Sequence, residues 1–301
     1  MKSPVAVLWN FTYWCNMNCI HCFSREEAKR SKNKEIDETQ AKQIAEQIIE
    51  AEVLHVNFGG GEPLGRVDFF NIAENLVNGG VGISLSTNGW LVNDETAQFL
   101  KTLDIRSVSV SIHGSTRKIH DDFHRCTGAF NGAVNAIKTL LEKEIYTKIV
   151  TTVTRYNIND IANISKLANE LQVNEFVLQS FKLPINFNKK QQDILIPKED
   201  WKEIIKRFSD IKKNVNRERP KIHFDFLNDP VIAQILEKKS DCPCGKFTCT
   251  IKPNGELVPC PFVNIVAGSL LENSLINLWE NSIIFKEIRN RNLNLCCDKI
   301  K

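Results

Sequence analysis

The alternation of short apolar runs with amphipathic stretches between residues 5 and 180 is the feature that most constrains the fold of this chain. Six runs are rich in β-branched residues and bounded by Gly, Asn or Asp, as strands are. The predicted strands are Val5–Trp9, Val53–Phe58, Gly82–Ser86, Ser107–Ile112, Lys148–Val153 and Glu175–Gln179. Strands that alternate with helices pair in parallel, so we expect an α/β fold closed or partly closed into a barrel. In such a barrel the functional site lies at the carboxyl ends of the strands.

Helical periodicity fills the intervals between these strands. The stretch Asp37–Glu50 begins with Asp37 and has Gln40 three residues later, which is a capping-box pattern. Further predicted helices are Asp68–Val77, Asp94–Thr102, Ala129–Glu142, Asn159–Leu171, Glu199–Val215, Pro230–Lys238 and Leu275–Arg289. A hairpin turn is predicted at 253–255, between strands Phe247–Ile251 and Glu256–Val258. These elements predict a barrel over residues 1–190, linking helices over 191–238 and a small Cys-rich domain over 239–301.

Bulk composition excludes several classes of protein. The formal net charge of the 301 residues is only +3, which gives no reason to expect a nucleic-acid partner. The sequence has no apolar run of the roughly 18 residues that a membrane-spanning helix needs. Ten cysteines, most of them grouped near the two ends of the chain, indicate metal centres in a reducing compartment. We therefore expect a cytoplasmic metalloprotein.

The first cysteine group, Cys15, Cys19 and Cys22, directly follows the first predicted strand. Three thiols in a compact loop are one ligand short of a closed zinc site or of a cluster held entirely by the protein. On a four-iron cluster they leave one iron open to a substrate or cofactor. His21 is disfavoured as a fourth ligand, because its side chain diverges from that of its neighbour Cys22. Structural zinc is the alternative interpretation of this loop.

The loop motif C-x3-C-x2-C is followed, after the second predicted strand, by the run Gly60-Gly61-Glu62-Pro63. With these two motifs in this order, and with the aromatic His21 before the last cysteine, the chain resembles the radical S-adenosylmethionine (radical SAM) superfamily. The resemblance extends over the whole chain and implies that family's partial (β/α)6 TIM-like barrel. It also implies an enzyme whose cluster reductively cleaves S-adenosylmethionine to a 5′-deoxyadenosyl radical, which abstracts hydrogen from a substrate.

The resemblance implies roles for individual residues. The three cysteines of the loop would bind a [4Fe–4S] cluster, whose open iron the methionyl amino and carboxylate groups would chelate. The run Gly60–Pro63 would lie near the methionyl ammonium, and His21 near the adenine. Polar residues at strand ends would hydrogen-bond the ribose or the carboxylate; they are Ser86, Thr87, Asn88, Ser109, Ser111, Thr152 and Asn157. A low-potential electron donor such as flavodoxin or ferredoxin would reduce the cluster.

A second group of cysteines resembles the SPASM and twitch extensions of this superfamily, which hold auxiliary clusters. Ten residues separate Cys244 from Gly255 and four separate Gly255 from Cys260, which fits the C-x(9–15)-G-x4-C element. The resemblance implies one auxiliary [4Fe–4S] cluster. Its expected ligands are Cys244, Cys249 and Cys260, with Cys242, Cys296 or Cys297. Because the sequence stops four residues after Cys297, the full SPASM pattern is not expected, nor is a second auxiliary cluster. A zinc knuckle on the same thiols is the alternative.

One cysteine, Cys126, lies outside both groups. The simplest interpretation is a small residue in a loop. A second hypothesis is that it donates a hydrogen atom to a substrate radical, as a cysteine does in radical epimerases. His113, His120 and His124 are expected near the same barrel mouth, but single histidines do not define a site.

The resemblance favours modification of a ribosomally made precursor peptide by cross-linking, epimerisation or oxidation. The chain begins directly at the first predicted strand, so a leader-peptide-binding protein is expected to be separate. Two alternatives stay open: oxidation or decarboxylation of a sugar or aminocyclitol, and a non-catalytic iron–sulfur or zinc protein that senses redox state. The run Gly60–Pro63 argues against the second alternative, because an electron carrier needs no methionyl site.

Overall fold

The computed structural model describes residues 2–22, 24–25, 27–28, 34–183, 189–214, 220–225, 229, 232–233, 237, 242–263, 265–291 and 293. Its strands are β1 (Ala6–Thr12), β2 (His55–Gly60), β3 (Gly82–Thr87), β4 (Ser107–Ser111), β5 (Thr147–Val153), β6 (Glu175–Ser180), β7 (Lys221–Phe224), β8 (Thr248–Ile251), β9 (Glu256–Val258) and β10 (Gly268–Ser269). In the described part of the chain they form one sheet in the order β10-β9-β8-β1-β2-β3-β4-β5-β6-β7. Strands β1 to β7 pair in parallel, which confirms the predicted α/β barrel architecture.

Helices connect these strands in sequence. They are α1 (Glu38–Glu50), α2 (Phe69–Asn78), α3 (Asp94–Thr102), α4 (Arg117–His124), α5 (Ala129–Glu142), α6 (Ile161–Glu170), α7 (Lys189–Asp193), α8 (Trp201–Asn214), α9 (Leu275–Asn281) and α10 (Ile283–Asn290). The predicted capping box of α1 is present: the Asp37 carboxylate accepts the Gln40 backbone N–H at 2.8 Å, and the Gln40 side chain accepts the Asp37 N–H at 3.0 Å. No described helix is long and apolar enough to cross a bilayer.

Several elements differ from the prediction, and α7, β7 and β10 were not predicted at all. The single helix predicted over Leu275–Arg289 is broken at Ser282, which has extended backbone and accepts the Ile284 N–H on its side chain at 3.3 Å. Helix α4 was not predicted, because its sequence is strongly polar and its apolar face is narrow. The predicted helix Pro230–Lys238 falls largely outside the described residues.

Aromatic side chains form the core beneath the first two strands. The Phe11 ring lies edge-on to the rings of Trp9 and Phe58, with centroids 5.3 and 5.2 Å apart. Phe69, at the start of α2, packs edge-on to Phe58 at 5.1 Å. Such pairs add directional packing to the burial of large apolar surfaces. This cluster fixes β1, β2 and α2 relative to one another, directly below the two motifs.

The register of the first two strands brings those motifs together. Trp9 pairs with Phe58, and a register shift between Asn10 and Thr12 leaves Thr12 opposite Gly60. The two strands therefore end side by side. Because they are parallel, the cysteine loop after β1 and the glycine turn after β2 emerge at the same edge of the sheet.

The Cys-rich hairpin continues the barrel sheet. Strand β8 pairs in parallel with β1, with Cys249 opposite Val7, and β9 returns antiparallel to β8 through the predicted turn. Gly255 in that turn has a φ of 79°, a left-handed conformation that suits glycine. The C-terminal region therefore packs on the barrel through backbone hydrogen bonds to its first strand.

Candidate active site

A cavity of about 790 Å³ opens at the carboxyl ends of the first strands. The loop after β1 supplies most of its wall, and the turn after β2 with the ends of β3 and β4 completes it. Of the residues predicted from the sequence, those that line it are Cys15, Cys19, His21, Cys22, Gly60, Gly61, Ser86, Thr87, Asn88 and Ser111. Both motifs therefore meet in one cavity at the expected end of the barrel.

The three thiols of the loop have polar neighbours. Cys15 Sγ accepts the Met17 N–H at 3.4 Å, and Cys22 Sγ lies 3.4 Å from Ser24 Oγ. Burial raises the pKa of Cys15 to about 11 and also raises the pKa of Cys19. Iron ligation requires thiolates, so a cluster would release the thiol protons and its metal charge would offset the burial of the anions. Three free thiols in one cavity fit a cluster with one iron that the protein does not ligate.

The two glycines after β2 allow close contact between backbones. The Gly61 N–H donates to the Thr12 carbonyl at 2.8 Å, and the next N–H, of Glu62, donates to the Trp14 carbonyl at 2.8 Å. A Cβ at Gly61 would collide with that Trp14 oxygen, and Gly60 has a φ of 105°. Only glycine meets both demands without strain. The turn thus supports the stretch that leads into Cys15.

The Glu62 side chain is fully buried and lies outside the residues that line the cavity. One carboxylate oxygen accepts the Thr87 hydroxyl at 2.8 Å, and the other accepts the Asn88 backbone N–H at 2.8 Å. Burial raises the pKa of Glu62 to about 7, although these hydrogen bonds lower it. The carboxylate therefore joins the turn after β2 to the end of β3. Its contact with a methionyl ammonium stays a prediction.

Asn88 links the end of β3 to the cysteine loop. Its Nδ2 donates to Asn16 Oδ1 at 2.8 Å and lies 3.8 Å from Cys15 Sγ. Its Oδ1 accepts the Trp90 N–H at 2.9 Å. This amide is already bonded on both sides, so in this structure it orders the loop around the first cysteine.

Four more of the predicted residues lie outside the lining of the cavity; they are Pro63, Ser109, Thr152 and Asn157. Asn157 is buried, and its amide bonds are taken up within the protein. Its Oδ1 accepts the Thr154 N–H at 2.9 Å, and its Nδ2 donates to the carbonyls of Thr152 and His113 at 3.0 and 3.2 Å. It therefore ties the turn after β5 to the end of β4.

Four imidazoles lie together at the cysteine loop, and one of them, His21, belongs to the loop itself. His124 Nδ1 lies 3.2 Å from Cys19 Sγ, and His124 Nε2 lies 3.2 Å from His113 Nδ1. The His113 backbone N–H donates to His120 Nδ1 at 3.2 Å, and the His21 ring lies 4.7 Å from the His113 ring. Burial lowers the pKa of all four, to about 4 for His21 and His120. The sequence analysis expected His113, His120 and His124 near the barrel mouth, but it missed their contact with the cysteine loop because α4, which carries two of them, was not predicted.

The second group of thiols is also brought together. Cys244 hydrogen-bonds Cys242 and Cys260 and is in electrostatic reach of Cys249. For Cys244 the bond to Cys242 lowers the pKa, but the bond to Cys260 and burial outweigh it and raise the pKa to about 12. The Lys182 ammonium, just beyond β6, lowers the pKa of Cys242 and so offsets part of its rise. The donor set fits a metal centre. Cys296 and Cys297 lie outside the described residues.

Comparisons with known proteins agree with this geometry. The Radical SAM superfamily profile matches residues 9–168, more than half of the chain. The chain belongs to the radical SAM superfamily. The SPASM profile, an iron–sulfur cluster-binding domain, matches residues 242–299 of this radical SAM protein.

Relatives match along nearly the whole chain. Mycofactocin maturase MftC of Mycobacterium tuberculosis is 28% identical over 297 residues, which cover 96% of this chain and 73% of the relative. AdoMet-dependent heme synthase of Methanosarcina barkeri is 25% identical over 307 residues, covering 96% and 85%. Among solved structures, Streptococcus suis SuiB bound to precursor peptide SuiA has a TM-score of 0.79 at 16% identity, with 96% and 67% covered. AnSMEcpe with bound AdoMet has a TM-score of 0.77 at 20% identity, with 97% and 84% covered. These structures share the fold.

Membership in the radical SAM superfamily makes the chain an enzyme with two kinds of cysteine centre. Radical SAM and SPASM domains bind [4Fe–4S] clusters, and S-adenosylmethionine is the cofactor of the first domain. The cavity-lining thiols and the thiols near Lys182 are the residues of this structure that fit those clusters.

Cys126 lies outside the lining of the radical SAM cavity. It follows Arg125, which has a left-handed φ of 50°, and its N–H donates to the Asp121 carbonyl at 3.1 Å. The structure therefore places it in the loop that ends α4. Hydrogen-atom donation by Cys126 stays a prediction.

Two charged residues of the cavity were missed by the sequence analysis. Glu35 accepts the Thr12 hydroxyl at 3.0 Å and the Tyr13 N–H at 2.6 Å, and Arg25 donates to the Cys19 carbonyl. Both belong to the polar segment between β1 and α1, which carries no periodicity and no motif. Their charge alone was no signal, since most charges of a segment like this are solvated.

Proposed function

We propose that this radical SAM enzyme modifies a ribosomally made peptide by cross-linking, epimerisation or oxidation. The observation that carries the proposal is the match to mycofactocin maturase MftC, which extends over both the barrel and the cysteine-rich region. The fold shared with SuiB, solved with its precursor peptide SuiA, adds support. Two cluster-binding regions suit an overall oxidation of a peptide, because the second can take up the electron that a substrate radical leaves behind.

The residues of the cavity divide the work between them. When bound, the cluster supplies the electron that splits S-adenosylmethionine and so provides the radical that attacks the substrate. Cys15, Cys19 and Cys22 hold the cluster, and the open cavity beside them holds the cofactor. The backbone N–H groups of Gly61 and Glu62 hold the stretch that leads into that loop.

The second cysteine region holds the auxiliary cluster in this proposal. Cys242, Cys244, Cys249 and Cys260 form its ligand set, which the mutual contacts of these thiols support. The cationic Lys182 at the end of β6 stabilises the anionic thiolates. We keep the division into a core at 1–190, linking helices at 191–238 and an auxiliary domain at 239–301.

The chemistry requires partners and a compartment. The cluster has to receive electrons from a low-potential donor such as flavodoxin or ferredoxin. The peptide is delivered either directly or by a separate leader-peptide-binding protein. The described cysteines are free thiols, which agrees with a reducing cytoplasm.

A second candidate substrate class is an iron porphyrin. AdoMet-dependent heme synthase of Methanosarcina barkeri is 25% identical and is covered over 85% of its length. Fe-coproporphyrin III synthase of the same organism is 31% identical over 172 residues. A porphyrin is a rigid planar ligand, whereas a peptide is extended and flexible, so a binding assay separates the two.

The proposal is tested with anaerobically reconstituted, dithionite-reduced enzyme. It is incubated with S-adenosylmethionine and with a candidate precursor peptide, sought among short reading frames beside the gene, or with iron coproporphyrin III. We expect 5′-deoxyadenosine and a mass change of the peptide. Cys260→Ala should keep 5′-deoxyadenosine formation but lose the modified peptide, because Cys260 belongs to the auxiliary region. Turnover of the porphyrin with an unchanged peptide would reject the peptide proposal in favour of the second candidate.

A further inference from the structure

The neighbour of Cys19 differs from the neighbours of the other two loop thiols. Cys15 accepts a backbone N–H and has the Asn88 amide 3.8 Å away, and Cys22 lies beside a hydroxyl, so neither has an imidazole neighbour in these contacts. Cys19 Sγ lies 3.2 Å from His124 Nδ1, whose other ring nitrogen lies 3.2 Å from His113 Nδ1. Both rings are almost completely buried, with 1% and 2% of their surface exposed. A chain of two buried imidazoles therefore begins at one cluster ligand.

The chain permits only one arrangement of protons once a cluster is held. The Cys19 thiolate is an acceptor, so His124 Nδ1 has to carry the proton. In a neutral imidazole Nε2 is then an acceptor, so His113 Nδ1 has to donate to it. This leaves His113 Nε2 without a proton; that atom has no hydrogen-bond partner among the described residues. His113 thereby sets the tautomer of His124.

The geometry of this chain is fixed by its surroundings. The last turn of α4 accepts two N–H groups of the cysteine loop: Asn18 donates to the His124 carbonyl at 3.1 Å, and Ile20 donates to the Phe123 carbonyl at 2.9 Å. The His113 ring stacks on Phe123 with centroids 4.4 Å apart. The loop and the imidazoles are thus parts of one packed unit, which keeps His124 at hydrogen-bond distance from the thiol.

We propose that His124 is a positioning residue that donates Nδ1–H to the Cys19 thiolate of the loaded cluster, with its tautomer set by His113, and that this bond raises the reduction potential of that cluster. A donor to a ligating sulfur stabilises the reduced cluster more than the oxidised one, because the reduced cluster is more negative. The bond therefore brings the cluster closer to the range of a biological electron donor. The role is independent of the substrate that the enzyme modifies.

The test is a redox titration of the reconstituted holoenzyme followed by electron paramagnetic resonance. The signal that changes on addition of S-adenosylmethionine reports the cluster with the open iron and separates it from any auxiliary cluster. His124→Phe keeps a ring of similar size but has no donor, so its potential should shift to more negative values. His124→Asn offers an amide N–H near the position of Nδ1, so it should return most of the way to the wild-type potential.

Two further variants complete the experiment. His113→Phe leaves His124 in contact with Cys19 but frees its tautomer, so it should shift the potential in the same direction by a smaller amount. His55→Asn is the control: His55 begins β2, at the opposite end of that strand from Gly60 and the cavity, and its Nε2 lies 2.8 Å from Ser84 Oγ. Its potential should equal that of the wild type.

A wild-type potential in cluster-loaded His124→Phe would overturn the proposal. If His124→Phe takes up no iron, the comparison of His113→Phe with His124→Asn decides: equal potentials in these two variants and the wild type would overturn it as well. The titration needs no substrate, so its outcome is independent of whether a peptide is modified.

Discussion

The Glu62 carboxylate accepts the Thr87 hydroxyl at 2.8 Å, and through this bond the turn after β2 is fastened to the end of β3. Its second oxygen accepts the backbone N–H of the following residue, Asn88. A buried carboxyl group with these two donors has a pKa of about 7 instead of 4.5. The stability of the folded protein therefore depends on the protonation of this one buried side chain in the turn after β2.

The contribution of Glu62 to stability should fall as the pH rises through this range, opposite in sign to the contribution of the buried histidines, whose pKa values are lowered. Between pH 4.5 and about 7 the folded protein keeps a proton on Glu62 that the unfolded chain has released, so higher pH favours unfolding. The shift corresponds to a loss of roughly 3 kcal/mol across that interval. We expect Glu62→Gln to remove this contribution, measured as the difference between the wild-type and variant free energies of unfolding of the apoprotein at about pH 5 and about pH 8. Glu46→Gln, at an exposed position of α1, is the control and should keep the wild-type pH dependence. Parallel pH profiles for wild type and Glu62→Gln would contradict the assignment.

Gly61→Ala should disrupt the cysteine loop. The new methyl group would collide with the Trp14 carbonyl oxygen, one residue before Cys15. We expect the variant to bind substantially less iron at the N-terminal centre and to form less 5′-deoxyadenosine. Gly59→Ala is a matched control on the same strand end, because its Cβ would meet Leu8 Cδ1 at 3.5 Å and Asn10 Oδ1 at 4.0 Å, which are ordinary contacts. Equal iron content in the two variants would show that the close approach at Gly61 is not required.

The ion pair between Arg66 and Asp68 should contribute strongly to stability. It is bidentate, with two N–O distances of 2.7 Å, and the Arg66 and Asp68 side chains are only 9% and 3% exposed. The guanidinium also donates to the Phe11 carbonyl at 3.0 Å. We expect Arg66→Met to lower the free energy of unfolding by about 3–5 kcal/mol, since it leaves a buried carboxylate unpaired.

The double variant Arg66→Met/Asp68→Asn should recover part of that loss, because no buried charge is left without a partner. The exposed pair of Lys118 and Asp122 provides the comparison, and Lys118→Met should change the unfolding curve little. Chemical denaturation of the apoprotein measures all of these variants. A double variant as unstable as Arg66→Met would show that the loss comes from packing and not from the unpaired charge.

Cys19→Ala and Cys126→Ala should have opposite outcomes. Cys19 lines the cavity and is one of the proposed ligands, so its removal should abolish 5′-deoxyadenosine formation and lower the iron content. Cys126 lies outside the cavity lining, and we expect its variant to keep both. Peptide turnover by Cys126→Ala is the separate readout for the hydrogen-donor hypothesis. Unchanged turnover would reject a catalytic role for this thiol.

Local patterning predicted most of the barrel. The helix Asp94–Thr102 has the predicted bounds, and the six predicted strands lie within two or three residues of the observed ones. These elements combine a strong apolar pattern with polar or capping residues at their ends, so neighbouring residues determine where each element begins and ends. The two motifs likewise predicted the cavity, because each follows a strand whose carboxyl end is fixed by the parallel sheet.

Long-range contacts could not be predicted in this way. The pairing of β8 with β1 joins residues more than 200 positions apart, and no local pattern specifies it. Glu62 was expected to face the ligand, but its bonds to Thr87 and Asn88 depend on the register of β3. His124 was left without a role, because its contact with Cys19 depends on a polar helix that periodicity does not reveal.

The pairing of β8 with β1 also limits how this enzyme can be shortened. Without the C-terminal region, Ala6 to Trp9 would lose their hydrogen-bond partners in β8. Strand β1, which lies inside the sheet, would then become an edge strand. Unprotected edge strands pair with strands of other chains and lead to aggregation. A barrel without its cysteine-rich extension would therefore expose an unpaired edge strand next to the loop that is proposed to hold the cluster. The exposed edge of β1 would have to be redesigned before the barrel and the C-terminal region could exist as separate proteins.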